Sequence, residues 1–213
     1  MNINLRLLIG ELRGQDFSEE KVLGFDVTTF TDGRGVKYAA KRDGTLFKQS
    51  KTGEWDIPRY SKKTSLGDYY NVSFAVHTEN GEVRTQSFSR HELIMCVFNR
   101  LGVLDALEQS ERTGEHVEIN HKNNDSHDTH IDNLELCTPE ENRQHGRAIR
   151  ALARYGLAGA YYTCQGKRVV AKVHGDGIPA AAVMDFLRKG RGVWRKRDCI
   201  EFAQYLQNYV WNR

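Results

Sequence analysis

The chain has 213 residues, of which 39% are hydrophobic and 28% charged, and its formal net charge is +3. This length suits one large domain or two to three small ones, and the low apolar fraction argues against a single thick core. No apolar run approaches the roughly 20 residues that a transmembrane helix needs, and Arg6 interrupts the apolar start. We therefore expect a cytosolic protein without a membrane span or a secretory signal.

The charge is divided unevenly along the chain. Residues 1–142 carry 17 Lys and Arg against 24 Asp and Glu, a formal charge of −7. Residues 143–213 carry 14 against 4, a formal charge of +10. A segment this basic is typical of an element that binds a polyanion, although taken alone it is equally typical of a solvated basic surface.

The four cysteines stand far apart, at positions 96, 137, 164 and 199. No C-x-x-C pair exists, which excludes a cysteine zinc ribbon and a thioredoxin-like site. We expect buried or inert thiols in a reducing compartment.

The segment from residue 22 to 88 consists of short strand-like runs separated by turn signals. The runs are residues 22–27, 37–40, 45–48 and 69–77. Asn80-Gly81, between 72–76 and 83–88, is the best hairpin signal in the chain. The polar segment 48–67 is expected to be a long loop.

A helix is predicted to follow this strand-rich segment. Ser89 can cap its start, and Glu92 completes a capping box. Apolar residues then recur at helical spacing, at Leu93, Ile94, Val97, Phe98 and Leu101. Gly102 is expected to end the helix, with a short second helix around 104–110.

A second capped helix is predicted from Thr138, with Pro139 as its first residue and Glu141 closing the box. Beyond it the sequence is strand-like at 160–164 and at 168–174. A helix from 197 to 209 is predicted to close the chain.

Five of the eight histidines fall between residues 116 and 145. The local pattern predicts a strand ending at His121, a polar loop, a strand at 134–137, and the capped helix. Asn142 and His145 are three residues apart and share a face of that helix. A strand-end imidazole facing such a helix can hold one divalent metal, and one metal beside one general base suffices for phosphodiester hydrolysis.

These residues resemble the motif of the HNH (ββα-metal) nucleases, specifically the phage homing-endonuclease branch. The matching residues are Asn120-His121, Asp132-Asn133-Leu134, Thr138-Pro139, Glu141-Asn142 and His145, and the upstream segment 88–98 resembles the helix that precedes the motif in that branch. The resemblance implies a modular α+β protein. Its modules would be a small N-terminal β module (1–88), an HNH core with its preceding helix (89–150) and a basic DNA-binding segment (151–213).

The resemblance also implies a role for each matching residue. His121 would be the general base that activates water, and Asn133 the structural asparagine that ties the loop and orients His121. Asn120 and Asn142 would be ligands of Mg²⁺ or Mn²⁺, with His145 as a further ligand or a residue behind the ligands. Because both amides are neutral, metal affinity should be weak until a substrate phosphate completes the site. Strand alternation would send Asn120 and His121 to opposite faces, so the strand is expected to bend there.

Other polar residues of this region have plainer explanations. His127, Asp128 and His130 are expected to be solvated loop residues, and Asp132 is expected to cap the turn before the second strand. His91, near a helix start, is interpreted as a packing residue or a residue behind the ligands rather than as a ligand.

Within residues 155–173 the basic C-terminal part contains Gly159 with Tyr161-Tyr162, the turn Gln165-Gly166-Lys167 and a strand-like run at 169–173. These features resemble the small sheet-plus-helix DNA-binding domain of plant ethylene-response factors. Trp194 is available there to pack or to stack. The residues predicted to contact DNA phosphates are Lys167, Arg168, Lys172, Arg188, Lys189, Arg191, Arg195, Lys196 and Arg197.

The resemblance implies a metal-dependent DNA endonuclease that is site-specific, of the homing type. By the same resemblance its partner would be double-stranded DNA and its location the cytoplasm of a phage-infected bacterial cell; its state is expected to be a monomer or a homodimer. One alternative is a catalytically silent DNA-binding protein, such as a repressor, built from the same modules. A second is an RNA-directed nuclease, because A-form shape and single strands also suit a basic aromatic surface.

Overall fold

The computed structural model describes residues 3–59, 61–62, 70–154, 159–164, 167–172, 180–189 and 194–211. The helices in these ranges are α1 (Ile3–Arg13), α2 (Arg90–Phe98), α3 (Arg100–Thr113), α4 (Pro139–Arg154), α5 (Ala180–Arg188) and α6 (Lys196–Trp211). The first eight strands are β1 (Ser18–Val22), β2 (Phe25–Thr31), β3 (Lys37–Ala40), β4 (Leu46–Gln49), β5 (Trp55–Asp56), β6 (Ser61–Lys62), β7 (Tyr70–His77) and β8 (Val83–Ser89). The others are β9 (Glu118–His121), β10 (Leu134–Cys137), β11 (Gly159–Cys164) and β12 (Lys167–Lys172). This mixture of helices and small sheets confirms the predicted α+β class, whereas the HNH arrangement stays a prediction.

Two antiparallel sheets dominate the N-terminal part: β1-β2-β3-β4-β5 in sequential order, and β6-β7-β8. The expected single strand at 22–27 is wrong, because the chain reverses at Leu23-Gly24, where φ is +51° and +83°. Two successive residues with positive φ form the tight turn that joins β1 to β2. The expected long loop at 48–67 is also interrupted, by β5 and β6.

Four of the hairpins share one turn geometry. In the segments 32–36, 41–45, 50–54 and 78–82, the first N–H donates to the carbonyl of the fifth residue, and the fourth residue, a glycine, donates back to the first. That glycine has a positive φ in every case, between +73° and +90°. This is the conformation that a glycine-bulge turn requires. The predicted Asn80-Gly81 hairpin is therefore confirmed, with Gly81 in the left-handed position.

The apolar start of the chain forms α1, an element that the sequence interpretation did not predict. Its buried face is Leu5, Leu8, Ile9 and Leu12, which join the main core. That core also contains Phe30, Tyr38 and Phe74 from the sheets and Leu93, Ile94 and Met95 from α2. It therefore draws side chains from both sides of residue 88, where the first module boundary is predicted.

The helical segment after Ser89 differs from its prediction in one respect. The Glu92 carboxylate accepts from the Ser89 N–H at 2.9 Å, as the predicted capping box requires, and also from the Ser89 hydroxyl at 2.6 Å. However, α2 ends at Phe98, and Gly102 lies inside the 14-residue α3 rather than ending a helix. Leu101 is 72% exposed and is not part of the buried stripe. The chain turns at Asn99, which changes the face that Leu101 presents.

Contacts divide the chain into two compact units. The first unit is Met1–Ile119 with Ser126–Leu136, and the second is Asn120–Asp125 with Cys137–Arg213. Strands β9 and β10 pair as a two-stranded sheet, and β11 and β12 as another. The predicted division into three modules stays a prediction.

The second unit has its own core, formed by α4, α5 and α6. Ala148 and Leu152 of α4 pack with Val183 and Phe186 of α5 and with Phe202 of α6. Helix α5 lies in a segment for which no helix was predicted. The predicted strands at 160–164 and 168–174 correspond to β11 and β12, and the predicted last helix corresponds to α6; residues 173 and 174 lie outside the described ranges.

Cys96, Cys137 and Cys199 are buried thiols that form no disulfide, as predicted. Burial raises the pKa of the Cys96 and Cys199 thiols, which disfavours the reactive thiolate. The Cys164 side chain lies outside the described part. Among the described residues, no helix combines the length and the apolar character needed to cross a bilayer.

Candidate functional site

Strand β9 carries the predicted base at its last position. Asn120 and His121 are both only 5% exposed, although neighbouring residues of a strand normally point to opposite faces. The chain turns directly after them, where the N–H of Asn124 donates to the carbonyl of His121 at 2.8 Å and Asn124 takes a φ of +59°. Two adjacent side chains at the end of β9, an amide and an imidazole, are therefore both buried.

The start of α4 is fixed by the predicted capping box. The Thr138 hydroxyl accepts from the N–H of Glu141 at 3.2 Å, and the Glu141 carboxylate accepts from the N–H of Thr138 at 2.9 Å. The N–H of Asn142 donates to the Thr138 carbonyl at 3.0 Å, the first bond of the helical ladder. Asn142 is therefore in the first turns of α4, and His145 follows it by one turn on the same face.

His145 links the start of α4 to the end of β9 within the second unit. Its side chain is fully buried, with Nε2 3.0 Å from the Lys122 carbonyl oxygen and Nδ1 3.3 Å from Nδ2 of Asn120. Because a carbonyl oxygen only accepts, Nε2 carries the ring proton and Nδ1 accepts from the Asn120 amide. This fixes the tautomer of His145. The same bond directs Nδ2 of Asn120 toward His145 on α4, so Oδ1 of Asn120 points away from His145.

Whether His145 is a ligand or a residue behind the ligands stays a prediction. In this structure Nδ1 of its ring lies within hydrogen-bond distance of the Asn120 amide, and Nε2 within hydrogen-bond distance of the Lys122 carbonyl oxygen. The amide oxygens of Asn120 and Asn142 are hard donors of the kind that Mg²⁺ and Mn²⁺ accept. They carry no charge, and within the described ranges no three His, Cys, Asp or Glu side chains are grouped to hold a metal. The donor set thus fits a metal held weakly and completed by substrate oxygens.

Asn133 closes the loop between β9 and β10. Its Nδ2 donates to the carbonyl of Asp128 at 2.8 Å, which is the loop tie that the resemblance implies; its orienting effect on His121 stays a prediction. The expected cap at Asp132 is wrong. His130 caps the short 3-10 turn instead, since its Nδ1 accepts from the N–H of Asp132, while the Asp132 carboxylate pairs with Arg42 at 3.0 Å. The other oxygen of the Asp132 carboxylate lies 3.6 Å from Nδ1 of His130.

Two arginines that the sequence analysis did not single out anchor this loop within the first unit. The carbonyl of Arg42, after β3, accepts from the N–H of Ile131 at 2.9 Å. The guanidinium of Arg90, on α2, donates to the carbonyl of His127 at 2.9 Å. No sequence signal connects these arginines to a loop so far along the chain, because the contacts depend on the tertiary fold.

His91 fits its interpretation as a packing residue. It is half-buried at the start of α2, with Nε2 3.4 Å from the Ser89 hydroxyl. Burial, helped by the charge of Arg90, lowers the pKa of His91 to about 4. The neutral imidazole therefore persists throughout the physiological pH range.

Arg191 lies outside the described residues, and the other predicted phosphate-contacting residues lie on or next to three elements of the second unit. Three of them, Lys167, Arg168 and Lys172, are in β12, and their side chains are outside the described part. The exposed residues are Arg188 and Lys189 at the end of α5, and Arg195, Lys196 and Arg197 at the start of α6. Trp194 packs against Phe186 and Phe202, at centroid distances of 5.6 and 4.9 Å, so its ring belongs to the core.

The sequence analysis missed a further basic surface, on α4 itself. Its exposed face carries Arg143, Arg147, Arg150 and Arg154. Their spacing of four, three and four residues is helical, and this signal was available in the sequence once the helix had been predicted.

No protein-family model matches this chain, and neither a curated protein nor a solved structure matches it. The HNH assignment therefore depends on the motif residues and on the geometry around Asn120, His121 and His145.

Proposed function

We propose that this protein is an HNH-type endonuclease that hydrolyses phosphodiester bonds of double-stranded DNA with one Mg²⁺ or Mn²⁺. Its site-specific, homing-type character and its action in a phage-infected bacterial cell belong to the same proposal.

The hydrogen bond between Asn120 and His145 carries the proposal. It joins the strand end that holds His121 to the helix that holds Asn142, inside one compact unit. Asn120 and His121 end a strand, and Asn142 lies in the first turns of a capped helix, as the resemblance leads us to expect. The burial of Asn120, His121 and His145 and the bond between Asn120 and His145 support the proposal.

The chemistry assigned to the residues is simple. His121 accepts a proton from the attacking water, which makes the water a better nucleophile toward the phosphorus. Asn120 and Asn142 offer amide oxygens to the metal, which when bound stabilises charge on the leaving oxygen. Oδ1 of Asn120 is directed away from His145 by the bond through Nδ2, so the positioning of this donor depends on His145.

Nicking of supercoiled plasmid in the presence of Mg²⁺ tests the proposal. We expect the full chain to convert supercoiled to open-circular or linear DNA, and His121→Ala to lower this rate by at least about 100-fold, the usual contribution of a general base. His127→Ala is the matched control, because that histidine is in the same region but is exposed. Undiminished nicking by His121→Ala would exclude its assignment as the base.

A catalytically silent DNA-binding protein is the second candidate. The neutral donor set favours it, because hard cations prefer charged oxygen ligands. Tight binding of duplex DNA without cleavage, at any Mg²⁺ or Mn²⁺ concentration, would support this candidate. Preferential cleavage of RNA in competition with duplex DNA would instead support an RNA-directed nuclease.

A further inference from the structure

Four arginines form a single stripe along α4. Arg143, Arg147, Arg150 and Arg154 are all exposed, and at 3.6 residues per turn their directions fall within an arc of about 60°. The rise of about 1.5 Å per residue makes the stripe about 16 Å long.

The opposite face of α4 is fixed by packing. His145, Ala148 and Leu152 are buried there, and the last two belong to the core shared with α5 and α6. The helix cannot rotate to bury the arginines without exposing this apolar face. The stripe is therefore held outward by the fold of the second unit.

Neither intramolecular pairing nor the helix dipole explains the stripe. In the described part of the chain, Arg143 pairs with Glu140, whereas Arg147, Arg150 and Arg154 form no ion pair. Cations near a helix C-terminus interact favourably with the dipole, but that effect is confined to the last turn and cannot account for Arg143 or Arg147.

The chemistry of the stripe suits a phosphate backbone. Guanidinium groups bind phosphate oxygens through two parallel N–H donors. A surface whose only role is solubility does not require that all of its cations be arginine. Duplex DNA carries about one charge per 1.7 Å of its axis, so a stripe about 16 Å long faces several phosphates. The stripe begins one residue after Asn142, the proposed metal ligand.

We propose that the arginine stripe of α4 binds the phosphate backbone of duplex DNA beside the scissile bond. The inference builds on the proposed function, since it assigns the nuclease helix a second role in holding its substrate. The same helix would then fix both the metal and the strand to be cut.

The test is DNA binding by the full chain in EDTA, so that no cleavage intervenes. We compare wild type with Arg147→Gln/Arg150→Gln/Arg154→Gln on a fluorescent duplex across a salt series. Gln and Arg have similar helix propensity, so α4 should remain folded, which circular dichroism checks. We expect affinity to fall about 10- to 100-fold and the slope of log affinity against log salt to fall by about 2.7, or about 0.9 per lost contact.

A matched control removes the same charge elsewhere. Arg34, Lys51 and Arg112 are exposed cations of the first unit, and their replacement by Gln also lowers the net charge by three. This control should leave the slope nearly unchanged. Equal effects of the two triple variants would overturn the inference, because net charge alone would then explain binding.

The outcomes also separate the inference from the proposed function. If the triple α4 variant binds with an unchanged slope while wild type still nicks DNA, only the stripe assignment fails. If wild type binds through the stripe but never nicks, the nuclease proposal fails and the stripe stands. Equal competition by single-stranded RNA of the same length, or no binding of duplex DNA by wild type, would overturn the choice of partner.

Discussion

Replacing Gly44 with alanine tests whether the β3–β4 turn supports the loop that carries Asn133. Gly44 has a φ of +89°, and a Cβ added there would lie 2.1 Å from Oγ1 of Thr129 and 2.7 Å from its carbonyl oxygen. Thr129 is in the middle of that loop and is almost fully buried. Gly53 provides a matched control, since it occupies the same position of the same turn with a φ of +90° but has open space around its Cβ position.

Both substitutions place a side chain on a left-handed backbone, but only Gly44→Ala also creates a steric clash. A left-handed backbone costs a residue with a Cβ about 1–2 kcal/mol, and both variants bear this cost. Only Gly44→Ala adds overpacking, which costs about 1–3 kcal/mol when neighbouring atoms must shift. Since a backbone atom of Thr129 lies within the clash distance, a rotamer change of its side chain cannot relieve the contact. We therefore expect Gly44→Ala to be less stable than Gly53→Ala by about 1–3 kcal/mol.

Urea unfolding of both variants measures this difference, and plasmid nicking at a temperature where both remain folded measures its effect on the site. Gly44→Ala should nick more slowly than Gly53→Ala, because the displaced loop also holds Asn133 through its bond to Asp128. Equal unfolding free energies for the two variants would refute the packing of the turn against the loop.

Three further substitutions test the geometry of the site and of its supports. The pKa of His91 is about 4 in the folded protein against 6.5 for the free side chain, so between these pH values the unfolded state binds a proton that the folded state does not. The free energy of unfolding should therefore fall by up to about 3 kcal/mol as pH drops from about 6.5 to 4. His91→Gln should remove most of this pH dependence in urea titrations. His145→Ala should raise the Mg²⁺ concentration for half-maximal nicking, because Asn120 loses its bond to the imidazole. It should also lower the free energy of unfolding by about 2–4 kcal/mol. An unchanged Mg²⁺ requirement would exclude the positioning role. Thr138→Ala should lower the free energy of unfolding by about 1 kcal/mol, measured against Glu140→Ala, whose side chain is not part of the capping box.

Features set by neighbouring residues were predictable from the sequence. The capping boxes at Ser89 and Thr138, the strand ends at His121 and Cys137, and the glycine turn at Gly81 all occur as predicted. Each depends on hydrogen bonds or backbone angles within about five residues, which a short window of sequence contains.

The errors have equally physical causes. Gly102 is a poor helix former, yet it lies within α3, because the helix restarts at Arg100 and buries Val103 and Leu107 in the main core. Helix α1 was missed although Leu5, Leu8, Ile9 and Leu12 recur at helical spacing, so its signal was present in the sequence. At Gly102, by contrast, tertiary burial outweighs the local signal.

The sequence by itself determined the identity and order of the motif residues, the division of charge between the two parts of the chain, and the local ends of strands and helices. Only the tertiary structure decided that the His145 ring contacts the Asn120 amide, that Arg42 and Arg90 anchor the loop of Asn133, and that the arginines of α4 face outward. The reason is that hydrogen-bond partners and burial are fixed by residues distant in sequence. A spacing pattern can show that two residues share a helix face, but the core packed against the opposite face decides which way that face points.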